Sequence, residues 1–162
     1  MSEQGEDVAE KASEFLLGIL ERMGVSADIE VHDSEERIIL EVQTPDTELV
    51  IGRRGVVVDA LQHMVNKVVY KERAGEKGRP FIVDAGGYRA KHIEWLQSLA
   101  QRMADKALET KTVVELSPMS AHDRRVVHMA IADRPGISTR SEGEGDDRHI
   151  CLVPESAAAA AS

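Results

Sequence analysis

The stretch Ile51-Gly52-Arg53-Arg54-Gly55 decides the fold, because it places a glycine-bracketed turn between a short apolar segment and a long helical pattern. Glycine adopts positive φ without strain and has no Cβ, so the backbone of a ligand can approach the turn closely. The helix predicted to begin near Val56 directs its unpaired N–H groups and its positive dipole end toward the same place. Arg53 and Arg54 add two cations there. The turn is therefore predicted to contact phosphate groups, although glycine turns between helices are also common as purely structural features.

Aliphatic side chains flank this turn on both sides. They are Val50 and Ile51 before it, and Val56, Val57, Val58, Leu61, Met64, Val65 and Val68 after it. An aliphatic wall behind a cationic rim is the layout with which a KH domain holds about four nucleotides. The sequence therefore predicts a KH-type groove whose nucleic-acid contacts are Ile51, Gly52, Arg53, Arg54 and Gly55.

The order of the predicted elements supports such a domain. Helical spacing covers residues 13–23 and 56–71, with a one-turn helix after Pro45, and strand patterns cover residues 27–32, 36–43 and 80–84. This order, α-β-β-α-loop-α-β, is that of the type II KH fold, with three strands on one face and three helices on the other. We predict a disordered lead-in over residues 1–11 and the KH domain over residues 12–85.

Gly86-Gly87 predicts a boundary to a second small domain over residues 86–154. Its predicted elements are a helix over 88–110, a strand over 112–116, a helix over 120–132 and strands over 137–141 and 149–153. Ser120 begins a capping box in which Asp123 is expected to reach back to the helix start. The chain is thus predicted to be α+β, with a sheet and two main helices in the second domain and a disordered tail over residues 155–162.

A second cationic cluster is predicted on the helix that Ser120 caps. Arg124 and His128 are four residues apart and therefore share one face. Arg125 lies at the edge of that face, and Arg148 begins a strand that could pass nearby. The opposite arc is apolar and consists of Val126, Val127, Ala130 and Ile131. A guanidinium beside an imidazole suits one phosphate or one unstacked base, but the same pattern also fits an ordinary solvated helix face.

Four stretches of the chain occur in one order: Ile51-Gly52-Arg53-Arg54-Gly55 with Asp59-Ala60-Leu61-Gln62, then Gly87-Tyr88-Arg89, then Arg124-Arg125-Val126-Val127-His128, then Ser141-Glu142-Gly143-Glu144-Gly145. Over residues 12–154 they resemble the bacterial Jag family, also called KhpB, whose members join a KH domain to an R-three-H domain. The resemblance implies a non-enzymatic protein that binds single-stranded RNA. It would serve as an RNA chaperone or post-transcriptional regulator linked to cell shape, division and cell wall biogenesis. Many members carry an extra N-terminal domain and a long linker that this sequence lacks, so the resemblance does not extend to any activity tied to that domain.

Charge and composition limit the alternatives. The net charge of −9 opposes indiscriminate binding to polyanions, and most of the acidic excess lies in the first 87 residues. The sequence shows neither a membrane span nor a secretory signal, so a cytoplasmic protein without membrane insertion is expected. The single cysteine, Cys151, excludes an intrachain disulfide and is predicted to be a buried strand residue. The two Phe, two Tyr and one Trp mostly occupy core-like positions, which favours an aliphatic groove for single strands over an extended stacking surface.

Two rival functions find little support, and a third stays open. A hydrolase would draw on His122, Asp123, His128 and His149, but no nucleophile motif accompanies them. A metal site built from His122, His128, His149 and Cys151 lacks any recognised ligand spacing, so no metal or other cofactor is expected. The open alternative is a protein-interaction adaptor in which the KH fold mediates pairing and nucleic-acid binding is weak. The expected partners are single-stranded RNA, with single-stranded DNA and either a second small KH protein or a second copy of the chain as further candidates.

Overall fold

The computed structural model describes residues 3–75 and 78–158. The chain forms two compact units, which divide between Arg89 and Ala90. Within the described ranges, each unit combines helices with a three-stranded sheet, which confirms the predicted α+β class. None of the helices in these ranges is both long enough and apolar enough to span a bilayer.

The first unit follows the predicted order of helices and strands. Its elements are α1 (Glu3–Arg22), β1 (Asp28–Asp33), β2 (Ile38–Gln43), α2 (Thr47–Ile51), a 3-10 turn (Arg53–Gly55), α3 (Val56–Glu72) and β3 (Phe81–Ala85). β1 and β2 form an antiparallel hairpin, closed by Ser34, whose Oγ accepts from the N–H of Arg37 and donates to its carbonyl. β3 lies parallel to β2, which gives the strand order β1-β2-β3.

The core of the first unit lies between this sheet and the helices. Alternate side chains are buried along the strands, because successive residues of a strand point to opposite faces. From the helices, the buried side chains recur every three or four residues. The main members are Ile38, Leu40, Val42, Phe81 and Val83 from the sheet, Ala12, Leu16 and Leu20 from α1, and Val58, Leu61 and Val65 from α3.

The prediction of a disordered lead-in is wrong for the described part of residues 1–11. α1 begins at Glu3, ten residues before the predicted start. Two apolar side chains near its beginning, Val8 and Ala9, are buried against the core. Lys11 Nζ donates to Glu72 Oε2 at 2.9 Å, which ties this part of α1 to the end of α3. The helix is hard to recognise in the sequence, because its first half is largely polar and buries only a few apolar residues among the described positions, Val8, Ala9 and Ala12. Residues 1 and 2 lie outside the described ranges.

The second unit contains the predicted helices and strands. After the first two residues of α4 (Tyr88–Thr110), its elements are β4 (Val114–Glu115), α5 (Ala121–Ile131), β5 (Ile137–Glu142), a 3-10 turn (Gly145–Asp147), β6 (His149–Pro154) and α6 (Glu155–Ala158). All strand pairs are antiparallel, in the order β4-β6-β5. The core side chains are Leu96, Ala100, Ala104 and Ala107 of α4, Val127 and Ile131 of α5, and Leu116, Ile137, Ile150 and Leu152 of the sheet and its flank. The three alanines leave room for close packing against α4.

Two predictions for this unit need correction. Ser120 Oγ accepts the N–H of Asp123 at 3.1 Å, so the predicted cap is present. The Asp123 carboxylate does not complete the box; its Oδ2 lies 3.2 Å from Nε2 of His92. The predicted disordered tail is wrong for residues 155–158, which form α6, because the N–H of Glu155 donates to the carbonyl of Gly136 and alanine favours the helix. Residues 159–162 lie outside the described ranges.

Candidate nucleic-acid interface

The glycine-bracketed turn presents two arginines at the beginning of α3. Gly52, Arg54 and Gly55 have φ values of +70°, +56° and +81°, so the turn needs a left-handed backbone at three positions. Arg53 and Arg54 are both exposed. Gly55 is the N-cap residue of the 17-residue α3, and no side chain caps this helix end. Two guanidinium groups therefore lie beside the positive end of a helix dipole.

The side chains packed behind the turn also leave no room for a Cβ at Gly52 or Gly55. A Cβ at Gly52 would lie 2.3 Å from Cγ2 of Val57, and a Cβ at Gly55 would lie 2.6 Å from Cε1 of Tyr88. Val57 and Tyr88 pack partly buried against the first core. A side chain at either glycine would therefore displace atoms of the core boundary as well as strain the backbone.

The predicted aliphatic wall is mostly core rather than surface. Val50, Val58, Leu61 and Val65 are fully or almost fully buried. The exposed apolar surface beside the turn includes Val56 of that wall, which is 63% exposed, and Leu49, which is 59% exposed. Leu49 could not be recognised from the sequence, because a helix of only five residues has no readable apolar period.

A side-chain network behind the turn joins α3 to the outer edge of β3. Gln62 Nε2 donates to the carbonyl of Phe81 at 2.8 Å, and Gln62 Oε1 accepts the N–H of Val83 at 2.8 Å. The amide of one side chain thus pairs with β3 in the way that a neighbouring strand would. Arg89 continues this pattern, since its Nε donates to the carbonyl of Val83 at 2.9 Å.

Arg89 also connects this network to the beginning of α3. Its Nη1 lies 3.2 Å from Oδ1 of Asp59, and its Nη2 donates to Oε1 of Gln62 at 3.4 Å. Asp59, Gln62 and Arg89 belong to stretches that the sequence analysis used only as marks of a resemblance. The structure gives them a common role, which is to hold the first turns of α3, and with them the glycine turn, against the sheet.

The side chains of the second cationic cluster make hydrogen bonds within the protein, so they are not an ordinary solvated helix face. Arg124 is half-buried, and its Nη1 donates to the carbonyl of Met119 at 2.8 Å. The N–H of Met119 donates to the carbonyl of Arg148 at 3.1 Å, so one residue links the two arginines through its backbone. Arg148 Nε in turn donates to Oγ of Ser141 at 3.0 Å.

His128 completes this cluster from the next turn of α5. Its Nδ1 is hydrogen-bonded to Oγ1 of Thr139 on β5. Thr139 and Ser141 are two residues apart on this strand and therefore share a face. The structure thus brings together Arg124, His128 and Arg148, while Arg125 is exposed at the edge of the set. Sequence reasoning missed Thr139, Ser141 and Met119, because only the packing of α5 on the sheet reveals them.

The prediction that the aromatic side chains mostly occupy core positions is wrong for two of them. Tyr70 is 64% exposed and Trp95 is 52% exposed. The Trp95 ring stacks on that of His92, with 5.9 Å between the ring centroids and 15° between the planes. Phe81 is buried, as predicted, and Tyr88 is partly buried behind the glycine turn.

Cys151 is buried in the central strand of the second sheet, as predicted. Burial raises the pKa of its thiol above the ordinary value, and the carboxylates of Glu142 and Glu115 raise the pKa further. The thiol is therefore protonated at neutral pH.

Two family models match the chain, one in each unit. The model described as "KhpA/KhpB, KH domain" matches residues 9–79, and the model of the R-three-H domain matches residues 94–154. The R-three-H match contains the second cationic cluster, and the KH match contains the glycine turn.

Proteins named RNA-binding protein KhpB are similar to the chain over most of its length. The protein of Clostridium symbiosum is 33% identical over 152 residues, which cover 91% of this chain and 66% of that protein. The protein of Bacillus subtilis is 30% identical over 148 residues, with coverages of 90% and 70%. The Streptococcus pneumoniae protein is 28% identical over 152 residues, but the chain spans only 45% of its length.

The fold, the glycine turn and the second cationic cluster, together with the two matching family models, define a two-domain protein in which a KH domain precedes an R-three-H domain. The chain belongs to the KhpB family. The resemblance, the fold class and the order of the two domains are thereby confirmed.

Proposed function

We propose that the chain binds single-stranded RNA through the glycine turn of its KH domain. One observation carries this proposal: two exposed arginines lie beside the N-terminus of α3, and no side chain makes a capping hydrogen bond to that helix end. Backbone N–H groups and a helix dipole favour an anion at such a place, and the arginines supply charge-assisted contacts. That the relatives are named RNA-binding proteins supports the choice of RNA.

The cluster of Arg124, His128 and Arg148 is proposed as a second contact, with exposed Arg125 beside it. The hydrogen bonds to Met119, Ser141 and Thr139 fix the directions of these side chains, so little side-chain entropy is lost when a phosphate or base is bound. Single-stranded DNA presents the same phosphates and is a weaker candidate ligand.

We further propose a cellular role, the limits of the two domains and a partner. The chain acts in the cytoplasm as an RNA chaperone or post-transcriptional regulator linked to cell shape and division, by binding rather than by catalysis. The KH domain is proposed to span residues 12–85, and the R-three-H domain residues 86–154. A second small KH protein or a second copy of the chain is a candidate partner.

The experiment compares two double variants with the same change in charge. Arg53→Asp with Arg54→Asp places two anions at the turn, whereas Lys67→Asp with Lys71→Asp places them on exposed positions of α3. The two sites are about 20 Å apart at 1.5 Å per residue, which is beyond the screening length at 0.15 M salt. Fluorescence anisotropy with a labelled single-stranded RNA gives the Kd of each variant at several salt concentrations.

We expect the turn variant to bind at least tenfold more weakly and the control variant to stay close to wild type. The slope of log K against log salt should fall by about 1.4 in the turn variant, since each lost phosphate contact removes about 0.7 for a single strand. Equal losses in the two variants would mean that net charge, and not the turn, determines binding. Circular dichroism checks that both variants are folded.

One feature favours a protein-interaction role: side chains cover one edge of the first sheet, whereas the other edge carries an exposed apolar residue. Gln62 and Arg89 cover the edge at β3. β1 forms the other edge and carries Val31, which is 42% exposed. An edge strand with an exposed apolar side chain can add a strand from a partner. Light scattering of wild type and Val31→Lys tests this role: a dimer that the substitution abolishes would favour pairing, and a monomer in both would exclude self-pairing through β1.

A further inference from the structure

Three potential metal ligands meet on the face of the second sheet that is turned away from its core. Ile150 and Leu152 of β6 point into the core, so the alternate residues His149 and Cys151 point to the opposite face. Glu115 of β4 is directly paired with Cys151 and therefore shares that face. We call this group the Glu115/His149/Cys151 cluster. From the sequence, His122, His128, His149 and Cys151 were expected not to form a metal site, because they lack a recognised ligand spacing. Glu115 was not among the ligands considered there.

The distances in the cluster are close to those of a metal site. One carboxylate oxygen of Glu115, one ring nitrogen of His149 and Cys151 Sγ all lie within 4.8 Å of one another. His149 Nε2 lies 4.0 Å from Oε2 of Glu115. Ligand bonds of about 2.0–2.3 Å in a tetrahedron place neighbouring ligand atoms about 3.6 Å apart. Side-chain movements of about 1 Å therefore suffice to close the cluster around an ion.

The imidazole of His149 is already oriented for coordination. Its Nδ1 lies 2.9 Å from the carbonyl oxygen of Asp147, which can only accept a hydrogen bond. Nδ1 therefore carries a proton, and Nε2 is directed toward the Glu115 carboxylate of the cluster. A backbone carbonyl on the far nitrogen is the usual partner of a metal-bound histidine, since it fixes both the tautomer and the ring direction.

Burial and charge in the cluster also suit a cation. The Cys151 side chain is buried, His149 is 20% exposed and Glu115 is 69% exposed, so an ion could enter from the carboxylate side. Glu142 adds a second carboxylate near the thiol. Arg140 opposes the cation, but its guanidinium is 67% exposed and its charge is offset by the ion pair with Glu142.

We propose that Glu115, His149 and Cys151 bind a divalent transition-metal ion of the Zn²⁺ class. A thiolate and an imidazole select such ions over Mg²⁺ and Ca²⁺, which prefer ligand sets made only of oxygen. On binding, Cys151 releases its proton to solvent and coordinates as the thiolate, and water completes the four ligands. The ion fastens the two-residue strand β4 to β6. This site is independent of RNA binding.

Cobalt titration of the metal-free full chain, in the presence of a phosphine reductant, tests the proposal. Co²⁺ replaces Zn²⁺ in tetrahedral sites, and its bond to a thiolate gives a charge-transfer band in the near ultraviolet. We expect this band in wild type, its loss on addition of Zn²⁺, and its absence in Cys151→Ser. Because serine at a buried position can impair folding, Glu115→Gln at an exposed position is the second variant, with binding weaker by about 10-fold or more.

His122→Ala is the matched control, since it removes an exposed histidine of the same unit that lies outside the cluster. It should leave the cobalt band and its midpoint unchanged. The proposal is overturned if wild type gives no thiolate band with excess Co²⁺. It is also overturned if Glu115→Gln and His122→Ala bind Co²⁺ as tightly as wild type, because the ion would then be held by the thiol and unrelated surface groups.

Discussion

Replacing Gly55 by alanine tests the link between the glycine turn and the core behind it. Two penalties are expected. The φ of +81° puts alanine in the left-handed region, at a cost of roughly 1–2 kcal/mol. The new Cβ would also lie 2.6 Å from Cε1 and 2.7 Å from the hydroxyl oxygen of Tyr88, and overpacking of this kind typically costs about 1–3 kcal/mol. The free energy of unfolding should therefore fall by about 2–5 kcal/mol.

Gly24 provides a matched control in the same unit. Its φ is +78°, and a Cβ there meets no atom within 4 Å. Gly24→Ala should therefore cost only the backbone term, roughly 1–2 kcal/mol. Both substitutions reduce the entropy of the unfolded chain equally, so this contribution cancels in the comparison. The difference between the two variants isolates the contact with Tyr88.

The assay is urea denaturation of the full chain followed by circular dichroism, with each variant also made in a Tyr88→Ala background. Removing the ring should lower the cost of Gly55→Ala to about that of Gly24→Ala, which gives a coupling of about 1–3 kcal/mol between positions 55 and 88. Gly24→Ala should show no coupling to Tyr88. The reasoning is refuted if Gly55→Ala costs no more than Gly24→Ala, or if its cost is the same in both backgrounds.

Three further substitutions test other parts of the structure. Gln62→Ala removes both hydrogen bonds to the edge of β3 and should cost about 1–3 kcal/mol in urea denaturation, whereas exposed His63→Ala on the same helix should be close to neutral. Ser120→Ala removes the cap of α5 and should lower stability by about 1 kcal/mol, while Ser98→Ala on the exposed face of α4 should leave it unchanged or slightly higher. Arg124→Ala with His128→Ala should weaken the binding of a long single-stranded RNA more than that of a four-nucleotide RNA, because four nucleotides fill only the KH groove. Equal losses of affinity for the two RNAs in anisotropy titrations would contradict a second contact on α5.

The sequence by itself determines the features that depend on neighbours a few residues apart. The buried faces of α3 and β2 follow from apolar periods of about four and of two. The left-handed turn follows from Gly52 and Gly55, and the start of α5 follows from Ser120, whose cap is made within three residues. The exposure of Arg53 and Arg54 was predictable for the same reason, because charged side chains between two turn glycines favour solvent.

The tertiary structure alone decides which distant side chains meet. Gln62 and Arg89 are separated by 27 residues and come together only because α3 lies along the edge of β3. His128 reaches Thr139 through the packing of α5 on β5, and no spacing in the sequence shows this. Glu115 joins His149 and Cys151 because strand register pairs β4 with β6. A shift of register by one residue would turn Glu115 to the other face, so the cluster is a property of the folded sheet. Local sequence patterns determine where the helices and strands lie, whereas strand register and packing determine which functional side chains meet.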